Sequence, residues 1–101
     1  MTAYLIGKLV VQNWDWYREY RSVTEPLVAE YGGRYLVKGG DANKLEGEEV
    51  AGDASVMIAF PDRQAILDWY ADPRYVRMQQ LRHDSGVDCN LMIVDGIPEA
   101  D

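Results

Sequence analysis

The run Tyr31-Gly32-Gly33-Arg34-Tyr35-Leu36-Val37-Lys38-Gly39-Gly40 constrains the fold more than any other part of the chain. A glycine just past a helical pattern is the usual left-handed cap that ends a helix. The alternating residues behind it have the period of a strand. The run therefore fixes a helix-to-strand connection and closes the strand on a second glycine pair. With unbroken alternation, Arg34, Leu36 and Lys38 lie on one face, and Tyr35 and Val37 on the other. Neither glycine pair has phosphate-loop or dinucleotide spacing, so both read as turn punctuation.

The flanking segments supply the rest of the order. Tyr4 to Val11 is apolar and β-branched, with Lys8 as its one charge, and reads as a strand. Asn13 or Asp15 is positioned to cap a helix. Trp16, Tyr20, Val23 and Leu27, with Tyr17, Thr24, Val28 and Tyr31 beside them, give that helix a wide aromatic-rich face. Pro26 cannot donate to the Ser22 carbonyl, so a kink or restart is expected near Thr24. After the Gly33–Lys38 strand, Gly39 to Asp53 is a polar, glycine-rich excursion with a short strand expected at Lys44–Glu46. Ser55 to Phe60 is the next strand. Asp62 caps a helix from Arg63 to Tyr70, and Asp72-Pro73 opens a second short helix carrying Tyr75, Val76, Met78 and Leu81. Of the adjacent Trp69 and Tyr70, one packs on the sheet and the other is expected to reach a pocket mouth or the dimer contact. Cys89 to Val94 is the last strand. The order β-α-β-β-α-(α)-β is the split βαβ, or ferredoxin-like, arrangement: an α+β fold with an antiparallel sheet and its helices on one face. Residues 1–97 form one domain of common size, and 98–101 a loose tail.

Charge narrows the partners. With 17 acidic and 10 basic residues the net charge is −7, the wrong sign for a nucleic-acid or anionic-membrane surface. No stretch approaches a membrane span. The N-terminus enters a strand pattern at once, without the features of a signal peptide, so a soluble cytoplasmic protein is expected. The lone Cys89 excludes an intrachain disulfide, and at the start of an apolar strand it reads as a buried structural thiol. The lone His83, near a helix end, has the chemistry of a general base but reads as a surface histidine at a helix C-terminus, where the dipole favours a cation. No zinc or calcium ligand spacing occurs, so no metal or organic cofactor is expected.

Parity sorts the strand residues. Leu5, Gly7, Leu9 and Val11 are an all-apolar set, as are Val56, Ile58 and Phe60, and Cys89, Leu91 and Ile93. These belong beneath the helices. The mixed sets then share the open face: Tyr4, Lys8, Arg34, Lys38, Ser55, Met57, Asn90 and Met92. Apolar area with a few converging polar groups suits a small-molecule pocket, and three cations there favour an anionic ligand. The aromatics Trp14, Trp16, Tyr17 and Tyr20, at helical spacing, read as core.

Several stretches together resemble the domain-of-unknown-function 1330 family over about the whole chain. They are Ala3-Tyr4-Leu5-Ile6, Tyr17 with Tyr20, the Tyr31–Gly40 run, Leu45-Glu46-Gly47, Phe60-Pro61, Trp69-Tyr70, Pro73-Arg74-Tyr75, Arg82 and Val94-Asp95-Gly96. The resemblance implies the dimeric α/β-barrel superfamily, in which two sheets meet face to face and the open face lines an enclosed barrel. Superfamily relatives include small monooxygenases, isomerases and decarboxylase-like enzymes, and also members without known activity. No catalytic residue carries over from the family. Two departures stand out. Lys38 replaces a common Arg, exchanging a planar bidentate donor for a point charge, and Glu48–Asp53 lacks a Trp-containing pattern often found after Leu-Glu-Gly.

Two functions follow as expectations. In the first, the homodimer binds or transforms a small anionic organic molecule in the barrel interior, through Tyr4, Lys8, Arg34, Lys38 and Asn90. In the second, the homodimer is structural or regulatory and has no catalysis.

Overall fold

The structure, a computed structural model, describes residues 1–98. It contains β1 (Ala3–Val10), α1 (Tyr17–Glu30), β2 (Arg34–Gly39), β3 (Ala54–Phe60), α2 (Arg63–Ala71), α3 (Pro73–Asp84) and β4 (Asp88–Asp95). The four strands form one antiparallel sheet in the order β2-β3-β1-β4. This is the ferredoxin-like arrangement expected from the element order. Except for Pro98, the tail expected at 98–101 lies outside the described residues.

The glycine-bounded connection forms as its residues require. Gly32, at φ +81°, donates its N–H to the Ala29 carbonyl at 3.0 Å, and Gly33 donates to Val28 at 2.9 Å. This pair of bonds is a Schellman cap, which satisfies carbonyls that the end of α1 would leave open. Gly33 is required on steric grounds too: a Cβ there would lie 2.7 Å from Val28 and 2.9 Å from Phe60. Asp62 caps α2 by accepting from Ala65 N–H at 2.8 Å, and Asp72 caps α3 through Arg74 N–H at 2.8 Å.

Three local expectations are not met. Helix α1 runs unbroken through Pro26, so no restart occurs near Thr24. The lost bond is one among many in a helix whose buried face holds it in place. Neither Asn13 nor Asp15 caps α1; the cap residue is Trp16, and Asn13 instead closes a turn by accepting Asp15 N–H at 3.2 Å. No strand forms at Lys44–Glu46. That segment is exposed and has no neighbouring strand to pair with.

One core lies between the sheet and the helices. The sheet contributes Ala3, Leu5, Ile58 and Phe60; α1 contributes Leu27 and Val28; α2 and α3 contribute Ile66, Trp69, Tyr75 and Met78. Trp69 is buried and Tyr70 exposed, the division expected of adjacent helical residues. Helix α2 packs directly on β1, β3 and β4, whereas the main neighbour of α1 is α3. The space between α1 and the sheet is where the candidate site lies.

Candidate functional site

The parity reading holds along β1, β3 and β4. Lys8 pairs with Ser55 and Asn90, Ile6 with Met57 and Met92, and Tyr4 with Ala59 and Val94, all on the open face. Strand β2 breaks the pattern. Tyr35 pairs with Ile58 and Val37 with Met57, so Leu36 is an extra residue in a β-bulge. Past it the faces are exchanged. Lys38 therefore lies on the helix side rather than beside Arg34, a correction to its expected position. Its ammonium meets Glu25 of α1 at 2.8 Å and sits 5.3 Å from the centre of the Tyr35 ring.

The remaining open-face residues do not converge within one chain. Arg34 lies in the row of Ala59 and Tyr4, whereas Lys8 lies in the row of Ser55 and Asn90. The two rows are four residues apart on β1, about 13 Å. Lys8 is also occupied, donating to Glu49 and to the Val50 carbonyl, both at 3.0 Å. The open face is instead notable for exposed apolar groups: Val37, Met92 and Val94.

On the helix side a cavity of about 260 Å³ lies between α1, α3 and the sheet. Its size is close to the lower end of small-molecule sites, roughly 300 Å³. Leu5, Leu9, Val56, Ile58 and Leu91 give it apolar walls, and Trp16, Tyr17 and Tyr35 add rings. Gly7 lies against two of these lining side chains: a Cβ there would be 2.3 Å from Leu91 Cδ2 and 3.1 Å from Val56 Cγ1. The rim carries the exposed Trp14 together with Arg21, Glu25 and Lys38, where Glu25 bonds to both cations.

The deep end holds the polar chemistry. Arg82 of α3 is buried, and its Nη1 donates to Tyr20 Oη at 3.1 Å and to Tyr75 Oη at 3.0 Å. The two phenol oxygens are 2.8 Å apart. Each phenol has one hydrogen and one of the two lies between the oxygens, so one O–H is left over. No acceptor for it is found among the described residues, nor for Arg82 Nε or Nη2. Thr24 Oγ1 and Trp69 Nε1, both fully buried in the lining, have no partner either. Burying a cation costs several kcal/mol, usually offset by a carboxylate. Among the described residues Glu25 is the one carboxylate in the lining, and it is held at the rim.

The environment fixes protonation. Burial raises the pKa of Tyr20, Tyr75 and Tyr35 above the ordinary phenol value. All three stay neutral at physiological pH and donate rather than accept protons. Burial likewise raises the thiol of Cys89, which lines the cavity as a neutral, unactivated group. His83 is exposed at the C-terminus of α3, away from the lining. No cluster with metal-ligand chemistry occurs among the described residues. No helix among them is long and apolar enough to cross a membrane.

Of the four aromatics read as core, Trp16 is buried and Tyr20 packs against the core, whereas Trp14 is exposed, a correction; Trp16, Tyr17 and Tyr20 also line the cavity. Arg82, Tyr75, Thr24 and Trp69 were absent from the sequence-based site. One signal does mark them. Tyr75, Met78 and Arg82 fall at helical spacings of three and four, which puts an arginine on the apolar stripe of α3.

Solved structures share this architecture. RPA0582, a protein of unknown function from Rhodopseudomonas palustris, superposes with a TM-score of 0.73 at 16% identity, covering 95% of this chain and 82% of its own. A dimeric ferredoxin-like protein of unknown function from Jannaschia sp. CCS1 gives 0.65 at 15% identity, covering 91% and 98%. Rv0793 from Mycobacterium tuberculosis gives 0.52 at 12% identity over the full length of both chains. At such identities the likeness extends to the fold alone. No curated protein matches the chain in sequence. The family match is direct: residues 2–97 fit the domain of unknown function DUF1330, and the chain belongs to that family.

Proposed function

We propose that this protein binds a small organic anion in the cavity between α1 and the sheet, as a cytoplasmic homodimer paired through its open sheet faces. One observation carries the binding reading: a buried guanidinium without a carboxylate partner at the end of an otherwise apolar cavity. The lining holds three cations, Arg21, Lys38 and Arg82, against the single Glu25, in a chain whose net charge is −7. A positive interior inside an acidic protein selects anions and repels cations only locally, within the cavity. Neutral phenols beside the guanidinium would stabilise negative charge on a bound oxygen. Neither the phenols nor the thiol is an activated base or nucleophile, so the reading is of binding, without a committed reaction.

Pairing is supported by the exposed apolar groups of the open face and by the dimeric state of the Jannaschia relative. In such a pair Tyr4, Lys8, Arg34 and Asn90 would line the seam, where cations from two copies could meet one ligand. The same apolar face favours the second reading, a dimer with no ligand at all.

Native mass spectrometry of the freshly purified protein separates these readings. The expected result is a dimer carrying a small-molecule mass that is lost in Val56→Phe, which fills the cavity. A mass kept in Val56→Phe but lost in Lys8→Ala/Arg34→Ala would return the ligand to the seam. A bare dimer whose melting point responds to no aromatic anion would support the structural role.

A further inference from the structure

We infer that the ligand is a flat monoanionic carboxylate, an aryl or unsaturated acid, held head-first with its carboxylate against Arg82 at the deep end. This rests on the cavity reading above and follows from counting donors and acceptors. The deep end offers Arg82 Nε and Nη2 and the spare phenol O–H of the Tyr20–Tyr75 pair. At this end of the cavity donors outnumber acceptors. A ligand that completes these bonds must bring several acceptors and no obligatory proton.

Charge limits the choice further. One guanidinium lies at the deep end, while the rim cations Arg21 and Lys38 share the carboxylate of Glu25 and stay at the mouth. A phosphate monoester with two charges would bring a second charge to the deep end, where one guanidinium lies, whereas a carboxylate matches that single cation. The planar guanidinium also fits the two oxygens of a carboxylate better than a tetrahedral group in a narrow apolar space. The rest of the cavity is apolar, with Trp16, Tyr17 and Tyr35 presenting rings, so the remainder of the ligand is hydrocarbon and flat. Orientation follows as well. Arg82 and Trp69 are deeply buried while Trp14 and Arg21 are exposed, so the carboxylate enters first and the hydrocarbon end faces the rim.

Three naphthalene probes test this in calorimetric titrations of the intact protein: 1-naphthoate, neutral 1-naphthylmethanol and 1-naphthyl phosphate. The expected result is naphthoate binding about ten- to a hundredfold more tightly than the alcohol, the range for charge-assisted hydrogen bonds, with the phosphate weaker than naphthoate. Arg82→Gln should reduce the preference for naphthoate over the alcohol to within about threefold. Tyr75→Phe, which keeps the ring packing, should lower naphthoate affinity and serves if the arginine variant fails to fold. Tighter binding of the phosphate, or a preference that survives both substitutions, overturns the carboxylate assignment and leaves anion binding in the cavity intact, whereas equal binding of the alcohol overturns both. Failure of all three probes to bind overturns the assignment and the cavity reading together.

Discussion

Gly7→Ala sets local propensity against packing, and the two disagree in sign. A glycine inside a strand is disfavoured relative to alanine by roughly 0.5–1 kcal/mol, so propensity alone expects the substitution to stabilise. The structure says otherwise. The added methyl would lie 2.3 Å from Leu91 Cδ2, 3.0 Å from the Asn90 carbonyl oxygen and 3.1 Å from Val56 Cγ1. Carbon atoms in contact prefer about 3.5–4.0 Å, so Leu91, a cavity-lining residue, must move by more than an ångström. The backbone oxygen cannot yield without bending the sheet. Overpacking of this kind costs about 1–3 kcal/mol. For a domain of this length that is a fall in Tm of roughly 5–20 °C. Thermal and urea denaturation of Gly7→Ala measure it, and Gly7→Ala/Leu91→Ala provides the second arm. Leu91→Ala removes the clashing atom, so the double variant should be less destabilised than the two single effects summed. An unchanged or raised Tm for Gly7→Ala, or strict additivity in the cycle, would refute the claim that Gly7 makes room for Leu91 beside the cavity.

Other expectations are simpler. Lys38→Ala removes an ion pair that is partly exposed, so its effect on stability should be small, within about 1 kcal/mol, and urea denaturation at two salt concentrations measures it. The phenols of Tyr20, Tyr35 and Tyr75 titrate higher in the folded chain than in the unfolded one because of burial. Their stabilisation is complete below the unfolded value of about 10 and is lost as pH rises above it, so phenolate absorbance should rise only together with loss of circular dichroism. Asp72 behaves in the opposite sense: hydrogen bonds from Arg74 and Tyr31 hold its carboxyl well below the usual range. Its contribution is complete above about pH 4 and is lost as pH falls toward the folded value, so Asp72→Asn should flatten the acid limb of the stability profile. Met92→Lys, on the exposed open face, should give a monomer by analytical ultracentrifugation with helical circular dichroism intact.

The fold could be read from the chain because its signals are local. The Gly32-Gly33 cap, Asp62 before α2, Asp72-Pro73 before α3 and the apolar alternation of β1, β3 and β4 each lie within a few residues. The site could not be read in the same way. Tyr20 meets Tyr75 across 55 positions and Arg82 across 62, contacts that no local pattern encodes. The bulge left no mark either. Arg34-Tyr35-Leu36-Val37-Lys38 has no glycine or proline at the irregular position, so alternation assigned Lys38 to the wrong face. The all-apolar set under the helices was correct, but parity cannot distinguish a packed interface from one that keeps a cavity.

The surplus residue in β2 also bears on how relatives should be compared. Omitting Leu36 would leave Tyr35 opposite Ile58 and Val37 opposite Met57, the pairs that already form, now in a regular ladder. A homologue one residue shorter here would keep every neighbouring side chain on its present face. An alignment that placed the gap elsewhere in the strand would match Lys38 with a residue on the opposite surface. Roles along this strand therefore transfer by paired position on β3, not by distance from the Gly32-Gly33 cap.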